Sequence, residues 1–150
     1  MEIRQAEAPD FVSVHTLICE LAAYEKAPNE VVTNADILSQ FCLANNPFVF
    51  CWVCEIDEQI VATAVCYIRY STWKGPVLYL EDLIVKESHR RSGIGTALLN
   101  HCISFAKKRK FERLSWQVLD WNQPAIDFYK KFDVTFDNTW VNVTFNLAEK

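Results

Sequence analysis

Glycine is scarce in this chain. Only Gly75, Gly93 and Gly95 occur in 150 residues, and two of the three fall inside one short stretch, "HRRSGIGTALL" from His89 to Leu99. No Pro/Gly/Ser-rich linker, internal repeat or low-complexity segment is present, so one domain over residues 1–150 is expected. No apolar run reaches the length of a membrane span. The opening "MEIRQAEAPD" lacks the basic-then-apolar order of a signal peptide, which makes a cytoplasmic location the expectation. Positive charge is not in excess: 15 basic against 19 acidic residues give a net charge of −4. That disfavours nucleic acid as a partner, because such binding rests on neutralising phosphates. The one basic run, "KKRK" at 107–110, ends an apolar helical pattern, where cations complement the helix dipole.

Cysteine is not scarce, yet its placement excludes the usual metal signatures. "CWVC" at 51–54 lies in the strand-like "FVFCWVCEI", and residues three apart on a strand point to opposite faces. With no second pair at ligand spacing, no metal is expected and these thiols read as core. His15 and His101 sit inside helical patterns as packing or surface residues.

What is abundant is apolar and aromatic side chain, 51% and 13% of the chain, enough for a sizeable core. In "DFVSVHTLICELAAYEK", Phe11, Val14, Leu17, Ile18, Leu21 and Ala22 recur at helical spacing. "TNADILSQF" reads as a short helix opened by a Thr33/Asp36 capping box. "FVFCWVCEI", "QIVATAVCYIRYS" and "GPVLYLEDLIV" read as strands, the first two around a polar turn at Asp57–Gln59. A helix from Gly93, a strand "RLSWQVLDW", a helix "QPAIDFYKKF" and a last strand "TWVNVTFNL" complete the order β-α-α-β-β-β-α-β-α-β. The last strand rests on alternation of Val141, Val143, Phe145 and Leu147 with polar neighbours and Trp140. The helix at Gly93 joins two strands as a crossover, so at least one strand pair is parallel in an otherwise mainly antiparallel sheet. The class is α/β (α+β).

A strand, a glycine turn and a helix start make an anion site: unpaired N–H groups, the positive end of the dipole, and bare backbone. Arg90 and Arg91, with Lys86 and His89, set positive side chains beside it. The ligand asked for is phosphate, and more specifically diphosphate. A Walker A loop needs Lys-Ser/Thr after its last glycine, which is missing here. A dinucleotide fingerprint needs a third glycine where Leu98 stands. The pattern left is R-x-x-G-x-G. It resembles the acyl-CoA loop of the GCN5-related N-acetyltransferases, whose loop amides hold the CoA pyrophosphate. About thirty residues on, "WNQPAIDFYKKF" matches that family's N-x-x-A-x-x-F-Y through Asn122, Ala125, Phe128 and Tyr129. "ELAAYEK" and "YSTWKGPVLYLEDLIV" are similar to the diamine (spermidine/spermine) and thialysine acetyltransferases within it.

The resemblance implies acetyl-CoA as cosubstrate. It places CoA at Leu83, Ile84 and Val85, at Arg90, Arg91, Ser92, Gly93, Ile94, Gly95 and Thr96, and at Asn122 and Tyr129. It implies an amine acceptor near Tyr24, Glu25, Trp73, Glu81 and Asp82, with Glu81 and Tyr129 catalytic. It also implies a central pair of parallel strands that splay apart, and a homodimer with the acceptor site near its interface. Asp133 stands where the family carries a glycine, so the turn after the "FYKK" helix is expected to differ.

The chemistry is demanding. A lysine-like amine has a pKa near 10.4, so about one molecule in a thousand is neutral at pH 7. The site must take a proton, stabilise a tetrahedral oxyanion and protonate a leaving thiolate. Glu81 is expected to do the first through a water, the amides around Leu83 to Val85 the second, and Tyr129 the third. Strand alternation predicts that Glu81 and Asp82 face opposite ways and do not share one task. The leading function is acetyl transfer to a small cationic primary amine by direct attack in a ternary complex. The alternatives are the same reaction on a protein N-terminus, a lysine or an aminoglycoside, or a non-catalytic acyl-CoA-binding module.

Overall fold

The computed structural model describes residues 1–147, which fall into two compact units, Met1–Trp116 and the segment from Gln117 onward. In the first unit, strands β1 (Glu2–Gln5), β2 (Val49–Ile56), β3 (Gln59–Ser71), β4 (Gly75–Val85) and β5 (Leu114–Ser115) lie side by side in sequence order. The first three pairings are antiparallel, and β4–β5 is parallel. Helix α3 (Ile94–Lys108) makes the crossover that the parallel pair requires. Helices α1 (Phe11–Tyr24) and α2 (Ala35–Cys42) precede β2.

The pleat of β2 sorts the core. Cys51 and Val53 join Phe11, Val14, Cys42 and Val65 in a buried cluster with Ile18 and Leu38 against it. Phe50 and Trp52 turn to α3, where the Phe105 ring lies 4.9 and 4.8 Å from theirs. Cys51 and Cys54 are both buried and unbridged, on strand positions of opposite parity, as expected. The buried Thr63 hydroxyl is satisfied by donating to the Trp52 carbonyl at 2.9 Å. Arg4 clamps Asp10 and Glu55, both at 2.6 Å, which ties β1 to β2 and to the entry of α1.

One local expectation holds and one shifts. The β2–β3 hairpin does turn at Asp57 and Glu58, both left-handed (φ 49° and 60°) without a glycine. The α2 cap falls one residue later than the expected Thr33, because the Asn34 side-chain Oδ1 accepts from the Ile37 N–H at 3.0 Å.

Two expected strands do not form as read. "RLSWQVLDW" contributes only Leu114–Ser115, paired with Leu78 and Tyr79. In the second unit, helix α4 (Gln123–Tyr129) is followed by irregular chain through residue 147, and "TWVNVTFNL" is not a strand. Alternation stabilises a strand only when a neighbour completes the ladder and a layer covers the apolar face. Here Val141, Val143, Phe145 and Leu147 are 84–93% exposed, so the pattern has neither.

Candidate active site

Strand β4 carries the site. Its register against β3 slips between Val65 and Cys66: Val65 pairs with Asp82, Cys66 with Leu80, and Glu81 is left as the extra residue of a β-bulge. A bulge breaks the simple alternation and re-aims side chains. As a result Glu81 and Asp82 line one and the same open cleft of about 350 Å³. This corrects the expectation that they face opposite ways. Ile18, Leu21, Ala22 and Glu25 of α1 and its C-cap form one wall, and Glu30, Val31, Val32 and Thr33 form another.

Four of those ten lining residues are acidic and none is basic. Burial, and then the negative charges of Glu81 and Glu25, push the Asp82 carboxyl up to about 7. Burial also raises the carboxyl of Glu25, which sits at the negative end of α1 with no basic residue in the last turn. His15 Nε2 lies 3.1 Å from the Thr33 carbonyl, and in the tautomer that donates there it ties the Thr33 wall to α1.

Beyond Asp82 the strand keeps a regular pairing, and Lys86 N–H donates to the Val61 carbonyl at 2.8 Å. Counting back by two, Ile84 and Asp82 direct their backbone groups to β3, whereas Leu83 and Val85 direct theirs to the opposite edge. The pairing of that edge with β5 comprises only Leu78 and Tyr79. The N–H groups of Leu83 and Val85 thus point to the edge of β4 beyond its short ladder with β5, while Ile84, 4% exposed, belongs to the core.

The chain then turns through residues 86–93 into α3. Arg91 and Gly93 both adopt left-handed φ, 62° and 86°. Gly93 is the N-cap of α3 and, having no side chain, leaves the first amides of the helix without a cap from its own residue. A Cβ built on Gly93 meets nothing within 4 Å, so the space before the helix end is open. Ile94, 2% exposed, pins the loop to the core. The Ser92 hydroxyl donates to the His89 carbonyl inside the turn. Among the described residues neither Arg90 nor Arg91 has a carboxylate partner. A left-handed glycine cap, a fifteen-residue helix behind it and two guanidinium groups without a carboxylate partner among the described residues form an arrangement suited to a diphosphate.

The other expected site residues are scattered. Tyr24 is absent from the cleft lining; its ring lies 5.4 Å from the Arg90 guanidinium. Trp73 is 85% exposed at the tip of the β3–β4 hairpin, beyond the Gly75 end of β4, which lies about 20 Å along the strand from Glu81 at the usual strand rise. In the second unit, the Asn122 side-chain Oδ1 caps α4 by accepting from the Ala125 N–H at 3.3 Å. Tyr129 closes that helix, 9% exposed, with its ring 5.1 Å from Phe128. Sequence reasoning missed the Glu30–Thr33 wall, which carries no periodic signal. It also read Ile18, Leu21 and Ala22 simply as core, since apolar helix positions look alike whether they face a core or a cleft.

Residues 4–133 match the family described as the acetyltransferase (GNAT) family. The thialysine N-epsilon-acetyltransferase of Bos taurus is 36% identical over 149 residues, covering 92% of this chain and 88% of that protein. The spermidine/spermine N(1)-acetyltransferase-like protein 1 of Homo sapiens is 31% identical over 99% of this chain but only 23% of its own length. In fold, the chain superposes on an aminoglycoside acetyltransferase from an uncultured soil metagenomic sample with a TM-score of 0.80 at 22% identity, over 98% of this chain and 96% of that one. The chain belongs to the acetyltransferase (GNAT) family of enzymes, with named N-acetyltransferases among its relatives.

Proposed function

We propose that the protein transfers an acetyl group from acetyl-CoA to a primary amine of a small cationic molecule, a diamine, polyamine or thialysine-like amino acid. The observation that carries the acceptor is the cleft at the β4 bulge, lined by four carboxylates and no cation. Such a wall attracts an ammonium group and disfavours an anionic acceptor. The donor rests on the loop from Lys86 to Thr96, where left-handed Gly93 and the open helix end fit a pyrophosphate. Leu83 and Val85 offer edge amides both for the pantetheine arm and for the oxyanion of the tetrahedral intermediate.

The reaction balances simply. The amine nitrogen attacks the thioester carbonyl, the C–S bond breaks, one proton leaves nitrogen and one joins the thiolate. The nitrogen must first lose its ammonium proton. A carboxylate of ordinary pKa is a poor acceptor, but one held near the working pH is suited to the task. The sequence favours Glu81 for this role by resemblance, whereas the environment favours Asp82, the partly buried member of the pair. In this reading Asp82 takes the proton, while Glu81 and Glu25 hold the remaining positive charge of the acceptor. The motif match assigns Tyr129 the proton for the thiolate. A homodimer, a cytoplasmic location and a single functional domain over the whole chain belong to the same reading. The exposed aromatic tip at Tyr70 and Trp73 supports the dimer.

Calorimetric titration of acetyl-CoA into the wild type and into Gly93→Asp tests the donor half. Open space at Gly93 means that the new side chain meets no protein atom at its Cβ, and circular dichroism of the variant checks that the strain at a φ of 86° has not unfolded the loop's surroundings. Binding to the wild type and its loss in the variant is the expected result, and unchanged affinity overturns the loop assignment.

A further inference from the structure

We infer that Tyr24 is a positioning residue for the donor, holding Arg90 in place for the pyrophosphate. The inference rests on the reading of residues 86–96 as the donor loop. Two contacts fix the Arg90 side chain. Its Nε–H donates to the Val85 carbonyl at 3.1 Å, on the edge of β4 that points away from β3. Its guanidinium carbon lies 5.4 Å from the centre of the Tyr24 ring, within cation–π range.

Neither contact uses the terminal Nη groups, and among the described residues no acceptor takes them. A guanidinium anchored at Nε and at one face, with both Nη groups unused, is preset to donate in parallel to an anion. An exposed arginine otherwise gives up much rotamer freedom when a ligand orders it, and ordering it beforehand lowers that cost.

Tyr24 and Glu25 are adjacent at the end of α1, and successive residues there point about 100° apart. Glu25 lines the acidic cleft and Tyr24 meets the donor loop, so one turn of helix braces both halves of the site. The contact with Arg90 is made by the ring face of Tyr24.

Calorimetry with acetyl-CoA on Tyr24→Ala, Tyr24→Phe, Arg90→Met and the Tyr24→Ala/Arg90→Met pair tests this, with circular dichroism to confirm folding. Tyr24→Ala weakens binding about two- to fivefold, the scale of one cation–π contact. Tyr24→Phe binds as the wild type does, and Tyr24→Ala adds no further loss once Arg90 is gone. Wild-type affinity in folded Tyr24→Ala while Arg90→Met is impaired overturns the inference and leaves the donor loop standing. So does equal damage from Phe and Ala, or full additivity in the pair. Unchanged affinity in Arg90→Met removes Arg90 from the donor site, and the inference with it.

Discussion

Glu81 and Asp82 are neighbours in one β-strand and yet line one cleft, because a bulge places Glu81 outside the register that pairs Asp82 with Val65. The negative charges of Glu81 and Glu25 add to burial and raise the Asp82 carboxyl to about 7. If Asp82 takes the amine proton, kcat rises with pH and levels off above about 7. Glu81→Gln removes one of the raising charges, so the inflection moves to lower pH in a profile from pH 5 to 9. A profile identical to that of the wild type contradicts the coupling. The same shift has a stability sign. Folded Asp82 keeps a proton that the unfolded chain releases from about pH 4 upward. Stability from this group is therefore present at low pH and is lost as pH rises through about 7, at up to about 1.4 kcal/mol per unit. Urea unfolding of Asp82→Asn gains relative to the wild type as pH climbs from 5 to 8.

Arg91 holds a left-handed φ of 62° that L side chains reach only at a cost. Arg91→Gly relieves that strain but adds backbone entropy to the unfolded chain. Stability measured by denaturant titration stays level or rises by up to about 1 kcal/mol. Affinity for acetyl-CoA falls about tenfold, the scale of one charge-assisted contact. Loss of stability and affinity together means that Arg91 serves the fold instead of the ligand.

Tyr129 is assigned the thiolate proton by its motif alone. Tyr129→Phe lowers kcat by about 10²-fold or more, as expected for loss of a general acid, with acetyl-CoA affinity little changed. Wild-type turnover in that variant removes the assignment.

Much of the first unit is legible in the sequence because its elements carry one period each. Phe11 to Ala22 keep the helical spacing of α1, and β2 to β4 are long apolar strands broken by short turns. The glycine turn into α3 is legible because glycine is so rare elsewhere that Gly93 stands out. The bulge at Glu81 is not legible, since an irregular register leaves no residue signature when no glycine marks it. The cleft wall at Glu30–Thr33 is hidden for the same reason: loop residues are placed by neighbours such as His15, not by periodicity. The alternation at 139–147 misled in the other direction, because a two-residue period describes what a strand would bury and not whether a partner is there.

The central claim is that this cleft acetylates small cationic amines with acetyl-CoA as donor. The direct measurement is thiol release from acetyl-CoA, with mass spectrometry of the product, over a panel of diamines, polyamines, lysine and thialysine, N-terminal peptides and aminoglycosides. The account predicts stoichiometric acetylation of at least one diamine, polyamine or lysine-like amino acid, and a large loss of rate in Asp82→Asn. Turnover confined to peptides or aminoglycosides, or acetyl-CoA binding without turnover of any amine, contradicts it.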